Sequence, residues 1–216
     1  MFDLDGTLID TVPDISLALD RAMIDMDYAA PGLDSARRWV GNGSKVLIER
    51  ALFAAADNFS GQQLQQTQQL FFNHYEDCCQ QSSQLYPGVQ ATLEYLAANG
   101  FDIACVTNKP DRFTAKVLAG CKIEQFFSLL VCGDTLANRK PSPDQLLHAM
   151  AHYQRPASQS LMVGDSRNDI EAARAAGVAV LAVDYGYNHG EPIYDADRDA
   201  ASNPDIVVSN LADYFH

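Results

Sequence analysis

Two aspartates flank a leucine near the start of the chain, Asp3-Leu4-Asp5, and Gly6-Thr7 follow at once. Two more, Asp165 and Asp169, lie in the polar phrase GDSRND, and Lys140 stands before Pro-x-Pro in NRKPSP. Four carboxylates sharing a site with one lysine leave a surplus of three negative charges. At an effective dielectric of 20, two unit charges about 4 Å apart repel by about 4 kcal/mol. Such a cluster calls for a cation, or for a carboxyl that keeps its proton. Oxygen-only ligands favour Mg²⁺, which takes octahedral coordination and retains several waters. Asp5 is the natural holder of the proton, since a general acid needs one near pH 7. Taken alone, Asp-x-Asp-Gly is also an ordinary turn with an Asx cap.

These residues need elements to bring them together. From about Leu85 onward, short apolar runs alternate with helix-like segments. The runs are Ile103–Thr107, Leu129–Asp134, Ser160–Asp165, Val178–Asp184 and Ile206–Val208. Continuous runs rich in β-branched residues fit strands buried on both faces of a parallel sheet. Between them, GVQATLEYLAANG reads as a helix ended by Gly100. SPDQLLHAMAHY reads as a second, with Ser142 as N-cap and Pro143 at the first helical position. Strand–helix alternation of this kind predicts an α/β fold with a doubly wound, Rossmann-like parallel sheet. Asp3 and Asp165 each close an apolar run, so both belong at the carboxyl ends of strands, where open α/β sheets bind ligands. Asp169 begins the helix after GDSRND and faces the same crevice.

The stretch 11–84 behaves differently. Ile15, Leu19, Ala22 and Met26 recur at helical spacing, as do Leu64, Phe71, Tyr75 and Cys78, and no convincing strand appears. It is expected to be an all-helical inserted domain, with residues 1–10 and 85–216 forming a discontinuous catalytic core. Tyr86-Pro87-Gly88 is the return linker. The glutamines between Gln62 and Gln69 read as the solvated face of an amphipathic helix.

Composition narrows the partners. The formal charge is −13, without a Lys/Arg run, which argues against nucleic acid and anionic membrane surfaces. No apolar run reaches the about 18 residues that span a bilayer, and no signal peptide precedes the first motif. The five cysteines (Cys78, Cys79, Cys105, Cys121, Cys132) lack metal spacing and read as small core residues of a cytoplasmic protein. The histidines (His74, His148, His152, His189, His216) show no ligand spacing and are assigned no role.

DLDGT, then VTN, then the lysine before Pro-x-Pro, then GDSxND, in that order, resemble the four motifs of the haloacid dehalogenase superfamily. The resemblance covers nearly the whole chain. It implies that Asp3 is the nucleophile that becomes an aspartyl phosphate, and that Asp5 is the acid/base. It implies further that Thr107 hydrogen-bonds the phosphoryl group with Asn108 beside it, and that Lys140 bridges nucleophile and phosphate. Mg²⁺ would be held by Asp165, Asp3 and the backbone carbonyl of Asp5, supported by Asp169. Phosphoryl transfer asks mainly for in-line positioning and charge neutralisation, which this set supplies. An aspartate at position 5 matches the phosphatases and phosphomutases of the superfamily, and the helical insertion resembles its small cap domain.

Within the insertion, Gly41-Asn42-Gly43-Ser44 leads into a helix whose N–H groups could cradle an anion, with Lys45 and Arg50 adding positive charge. An ordinary glycine turn with Ser44 as N-cap fits the residues equally well. The stretch, with DYGYNHGEPI (Asp184–Ile193), resembles bacterial phosphoglycolate phosphatases. That resemblance implies hydrolysis of 2-phosphoglycolate, a small phosphorylated carboxylic acid released by DNA repair, by a monomer or homodimer. Other sugar-phosphate phosphatases and β-phosphoglucomutases share the four motifs. A signalling receiver module also clusters Asp, Thr and Lys, but lacks an insertion after its first strand.

Only Met1 and Phe2 precede Asp3, whereas a strand is typically about 5–6 residues long and related proteins carry several apolar residues there. Losing three or four buried side chains, at about 1.5–3 kcal/mol each, would use up most of a domain's roughly 5–15 kcal/mol. Met1 is therefore expected to be an internal methionine of a longer chain.

Overall fold

The computed structural model describes residues 1–215. In chain order the elements are β1 (Ile9–Asp10), α1 (Val12–Asp25), α2 (Leu33–Trp39), α3 (Ser44–Ala55) and α4 (Gly61–Cys78), then β2 (Gln84–Leu85), α5 (Val89–Ala98), β3 (Ala104–Val106) and α6 (Asp111–Gly120). There follow β4 (Leu129–Val131), α7 (Asp144–Tyr153), β5 (Leu161–Gly164), α8 (Arg167–Ala176), β6 (Ala179–Val183), β7 (Ile206–Val208) and α9 (Ala212–Phe215).

Each apolar run after residue 100 contains a strand, and β3–β4, β5–β6 and β6–β7 pair in parallel. The N-terminal residues join the two halves, with Phe2 bridging Cys105 on one side and Val163 on the other, both in parallel. The Phe2 N–H donates to the Ala104 carbonyl at 2.8 Å and the Asp3 N–H to that of Val163 at 2.9 Å. The Val106 N–H returns to Phe2 at 2.7 Å and the Val163 N–H to Met1 at 2.9 Å. The spatial order is thus β4-β3-(Met1–Asp3)-β5-β6-β7, and the chain reverses direction across the sheet at the first residues. Asp3 occupies the central position expected of it, on a segment paired on both sides.

Side chains alternate between two apolar layers, as the pleat requires. Ala104, Val106, Met162, Val180 and Ala182 pack under Leu146 and Ala149 of α7 and Ile170 and Ala173 of α8. Cys105, Val163, Leu181 and Val183 face the other way, against Leu93 of α5 and Phe113 and Val117 of α6. This is the doubly wound α/β arrangement that the strand–helix alternation predicts.

The helices α1–α4 pack on one another, α1 lying against the other three. Ile15, Leu19, Ala22, Phe71, Tyr75 and Cys78 are buried, while Leu64 and Met26 are half-buried, Met26 lying just past the end of α1. Gln62, Gln65, Gln66 and Gln69 are exposed, Gln69 donating to Asn73 Oδ1 at 2.9 Å, and two further glutamines reach beyond their own helix or cap it. Gln63 forms a capping box with Ser60 and reaches the Tyr28 hydroxyl at 3.2 Å, and Gln68 donates to Ser44 Oγ at 3.3 Å. Four cysteines are buried and Cys121 is half-buried, all as free thiols.

Three local expectations are corrected. Gln84 belongs to a strand: where the chain leaves and re-enters the sheet region, β1 and β2 pair antiparallel, Ile9 with Leu85 and Asp10 with Gln84. Two-residue strands are too short to show a period of two. Helix α7 starts at Asp144 with Pro143 as its cap residue, and Ser142 makes no side-chain cap bond. Likewise Gly43, at φ +84°, is the cap residue of α3, and Ser44 is the first helical residue. Asp169 stands at the third position of α8, in a capping box with Ser166. Among the described residues no helix is long and apolar enough to cross a membrane. His216 lies outside the described residues.

Candidate active site

Asp3, Thr107 and Asp165 each directly follow a paired segment, so the sheet delivers all three to one edge. Lys140 arrives from the β4–α7 loop and Asp169 from the first turn of α8. The Lys140 ammonium meets Asp3 Oδ1 at 2.9 Å, Asp169 Oδ1 at 2.7 Å and the Val106 carbonyl at 2.7 Å. Its three protons thus have three acceptors, and its side chain is only 1% exposed. Burial works against its charge, but Asp169 and Asp3 outweigh burial and hold its pKa above the ordinary value. The lysine backbone is fixed too: its N–H donates at 3.1 Å to buried Gln145, whose amide reaches the carbonyls of Thr107 at 3.0 Å and Cys132 at 2.9 Å. One glutamine thereby ties the ends of β3 and β4 to the lysine loop.

The acids are dry and crowded. Burial pushes the Asp3 carboxyl up to about 6, with Lys140 pulling it down and Asp169 and Asp5 adding repulsion. Burial, then Asp169 and Asp3, push Asp165 up to about 8. Asp165 accepts from Thr7 Oγ1 at 2.9 Å and from the Tyr187 N–H at 2.7 Å. Gly6, at φ +87°, and Gly186 both pass so close to this carboxylate that a Cβ at either would collide with it. Tyr187 carries the connection onward: its hydroxyl donates to Asp10 at 2.7 Å and accepts from the N–H groups of Thr11 at 2.9 Å and Val12 at 3.2 Å, at the start of α1.

Carboxylate oxygens of Asp3, Asp165 and Asp169 lie within 4.8 Å of one another. Three acids pressed together with one lysine, two of them raised in pKa, form a donor set that fits a hard divalent cation. Asp169 is already engaged by Lys140 and by Ser166, whose N–H and hydroxyl reach its Oδ2 at 3.1 and 2.7 Å. With three such contacts against two each on Asp3 and Asp165, Asp169 could support a cation while the other two offer ligand oxygens.

Asp5 stands on the other side of Asp3. Thr11 Oγ1 donates to its Oδ1 at 2.7 Å, and the Lys109 ammonium contacts its two oxygens at 3.1 and 3.3 Å. Asp3, Asp5, Thr107, Asn108 and Lys109 line one cavity of about 50 Å³. The inserted helices cover it with Ser44, Leu47, Phe71, Phe72 and Tyr75, and with Gly41 and Gly43 of the loop into α3. That loop is clasped from below: the Gly41 carbonyl accepts from Asn108 Nδ2 at 3.0 Å and Asn168 Nδ2 at 3.2 Å. Asn108 also donates to the Lys140 carbonyl at 2.9 Å.

The sequence-predicted residues therefore separate into two groups. Asp3, Asp5, Thr107, Asn108, Lys140, Asp165 and Asp169 converge, and Gly41 and Gly43 join them across the cavity. Lys45 instead pairs with Glu49 at 3.8 Å, its side chain 58% exposed. Arg50 donates to the Trp39 carbonyl at 2.9 Å and to Asn42 Oδ1 at 3.4 Å, bracing the loop from behind. Neither these two nor Asn42 lines the cavity. Sequence reasoning passed over Thr7, Thr11, Lys109, Gln145, Asn168 and Tyr187. Lys109 carried a signal, since it precedes Pro110 as Lys140 precedes Pro141. Gln145 looks like any polar helix residue, and Tyr187 lies in the loop Asp184–Ile193, whose resemblance gives the tyrosine no role.

Comparison with known proteins agrees with this geometry. The family model described as haloacid dehalogenase-like hydrolase matches residues 1–183. A phosphoglycolate phosphatase of Pseudomonas syringae pv. syringae is 44% identical over 213 residues, covering 98% of this chain and 76% of the relative. That of Aliivibrio fischeri is 45% identical over 205 residues, covering 94% and 90%. A crystal structure described as a predicted phosphoglycolate phosphatase from Haemophilus somnus superposes with a TM-score of 0.91 at 35% identity, covering 98% of this chain and 93% of that one. With an acid cluster, a buried lysine and a parallel sheet arranged as above, the chain belongs to the haloacid dehalogenase-like hydrolases.

Proposed function

We propose that the protein is a Mg²⁺-dependent phosphatase that hydrolyses 2-phosphoglycolate to glycolate and phosphate through an aspartyl phosphate on Asp3. The observation that carries this reading is the buried Asp3–Lys140–Asp169 chain, which meets the cavity at Asp3, with Asp165 beside it. Residues 1–10 and 85–216 act as the catalytic core and residues 11–84 as the cap.

The Asp3 carboxylate attacks phosphorus while the ester oxygen departs with a proton from Asp5. Water then attacks the acyl phosphate and yields its proton to Asp5, which releases phosphate and restores Asp3. Lys140 neutralises charge on the transferring group, and Thr107 and backbone N–H groups donate to its oxygens. Asp3, Asp165 and the Asp5 carbonyl would hold Mg²⁺, which when bound supplies positive charge to the phosphoryl oxygens. The inserted helices cover the site with apolar side chains and limit the access of water, which suits a small leaving group. The named relatives support phosphoglycolate as that substrate.

Phosphate release from 2-phosphoglycolate, with Mg²⁺ and with excess chelator, tests the reading. Turnover that vanishes on chelation and in Asp3→Asn is expected. Turnover indifferent to both, or transfer of the phosphoryl group to a second sugar without phosphate release, would overturn it.

A further inference from the structure

We infer that Lys109 is the residue that reads the carboxylate of the substrate. The inference rests on the phosphoglycolate reading and specifies how that substrate is distinguished from a neutral phosphate ester.

Among the described residues lining the cavity, Lys109 is the only one with a cationic side chain. Of the other cations nearby, Arg112 lies over the Phe72 and Phe113 rings at 4.4 Å and Arg139 packs against Gly43, and neither lines the cavity. Lys140 spends its protons on Asp3, Asp169 and the Val106 carbonyl, Lys45 faces Glu49 on the surface, and Arg50 braces the loop. The Lys109 side chain is 4% exposed, and its ammonium lies 4.7 Å from the Tyr75 ring centroid, where a desolvated cation gains from the aromatic face. Its backbone is fixed on both sides: its N–H donates to Thr107 Oγ1 at 3.3 Å, and its carbonyl accepts from the Gly133 N–H at 2.8 Å. The ammonium is therefore aimed, not free to roam.

Position supplies the rest. Lys109 touches Asp5, the residue assigned to the ester oxygen of the leaving group. In phosphoglycolate a single methylene separates that oxygen from the carboxylate. A group within hydrogen-bond reach of Asp5 is therefore also placed to meet the carboxylate, which takes over part of the ammonium's hydrogen bonding. The apolar ring of Phe71, Phe72, Tyr75 and Phe113 makes an unpaired carboxylate costly anywhere else in the cavity.

The test compares 2-phosphoglycolate with 2-hydroxyethyl phosphate, in which a neutral CH₂OH replaces the carboxylate, in the wild type, Lys109→Met and Lys109→Arg. The ratio of the two kcat/KM values is independent of how much of a preparation is folded. The wild type is expected to prefer phosphoglycolate. Lys109→Met loses its contact with Asp5 for either ester, but should fall roughly 10- to 100-fold further on phosphoglycolate than on the neutral ester, the worth of a charge-assisted hydrogen bond, so that the ratio drops by that factor. Lys109→Arg should keep a preference. An equal fall on both esters would show that Lys109 acts only through Asp5 and would overturn the assignment. So would a preference that survives in Lys109→Met or disappears in Lys109→Arg. A wild type indifferent to the carboxylate would overturn the substrate reading as well.

Discussion

The floor and the roof of the cavity are built on opposite plans. The floor is polar, lined by Asp3, Asp5, Thr107, Asn108 and Lys109, and a saturated network lies behind Asp3: Lys140 has three acceptors, Asp169 is held by Lys140 and Ser166, and Asp165 by Thr7 and Tyr187. The roof is aromatic and aliphatic, with Phe71 stacked on Tyr75 at a centroid separation of 5.6 Å and Tyr75 edge-on to Phe113 at 4.9 Å. Its polar contact with the floor at the Gly41 carbonyl is accepted by the roof and donated by floor asparagines. The difference teaches a division of labour. Reacting groups need fixed geometry and dense hydrogen bonding, which a sheet edge provides. A lid that must exclude water needs apolar surface and only a few contacts it can make and break.

Breaking the floor should have the largest effect. Lys140→Met leaves Asp3 and Asp169 buried without their cation, and unpairing a buried charge typically costs about 3–5 kcal/mol. Activity is expected to fall by at least about 10²–10³, as for loss of a transition-state donor. Thermal melts in chelator should show the loss at pH 8 and recovery toward pH 5, where Asp3 regains its proton. A variant as stable as the wild type at pH 8 would show that the floor is less tightly coupled than its distances indicate.

The acids themselves make a smaller, pH-dependent prediction. Asp3 is raised to about 6 and Asp165 to about 8, both from 3.8. The folded state therefore keeps protons that the unfolded chain has released, so stability falls as pH rises from about 4 to about 8. Chelated protein should lose several degrees in Tm across that window, and saturating Mg²⁺ should raise Tm more at pH 8 than at pH 5. A Tm that climbs with pH in chelator would refute the crowding of the acids.

The smallest effect is expected on the roof's outer face. Lys45→Ala removes an exposed i,i+4 pair with Glu49, worth about 0.3–0.5 kcal/mol. Steady-state kinetics on phosphoglycolate should stay within about twofold of the wild type. A larger drop would return Lys45 to the cavity and erase the contrast between floor and roof.

Much of the floor was legible in the chain because its residues sit where strands end. A buried parallel strand announces itself as a continuous apolar run, and the residue that closes the run stands at the ligand-binding edge. Asp3 and Asp165 were found that way, with Asp169 on the helix that follows, and the ordered motifs added Thr107 and the bridging place of Lys140. The doubly wound sheet followed from the same runs, and the helical character of 11–84 from the spacing of Ile15, Leu19 and Ala22 and of Phe71, Tyr75 and Cys78. Tertiary structure alone decided which side chains the roof turns inward. Lys45 and Arg50 lie on the right segment, yet a helix carries each residue round by a fixed angle, and theirs point to solvent and to the loop's back. It also decided that Lys109, Gln145, Asn168 and Tyr187 matter. Their partners lie 104 residues away for Lys109, 38 for Gln145, 127 for Asn168 and 177 for Tyr187, and no local pattern encodes contacts at that range. Residue type and periodicity are local properties; which distant backbone carbonyl or carboxylate a side chain meets is settled only when the sheet closes and the helices pack over it.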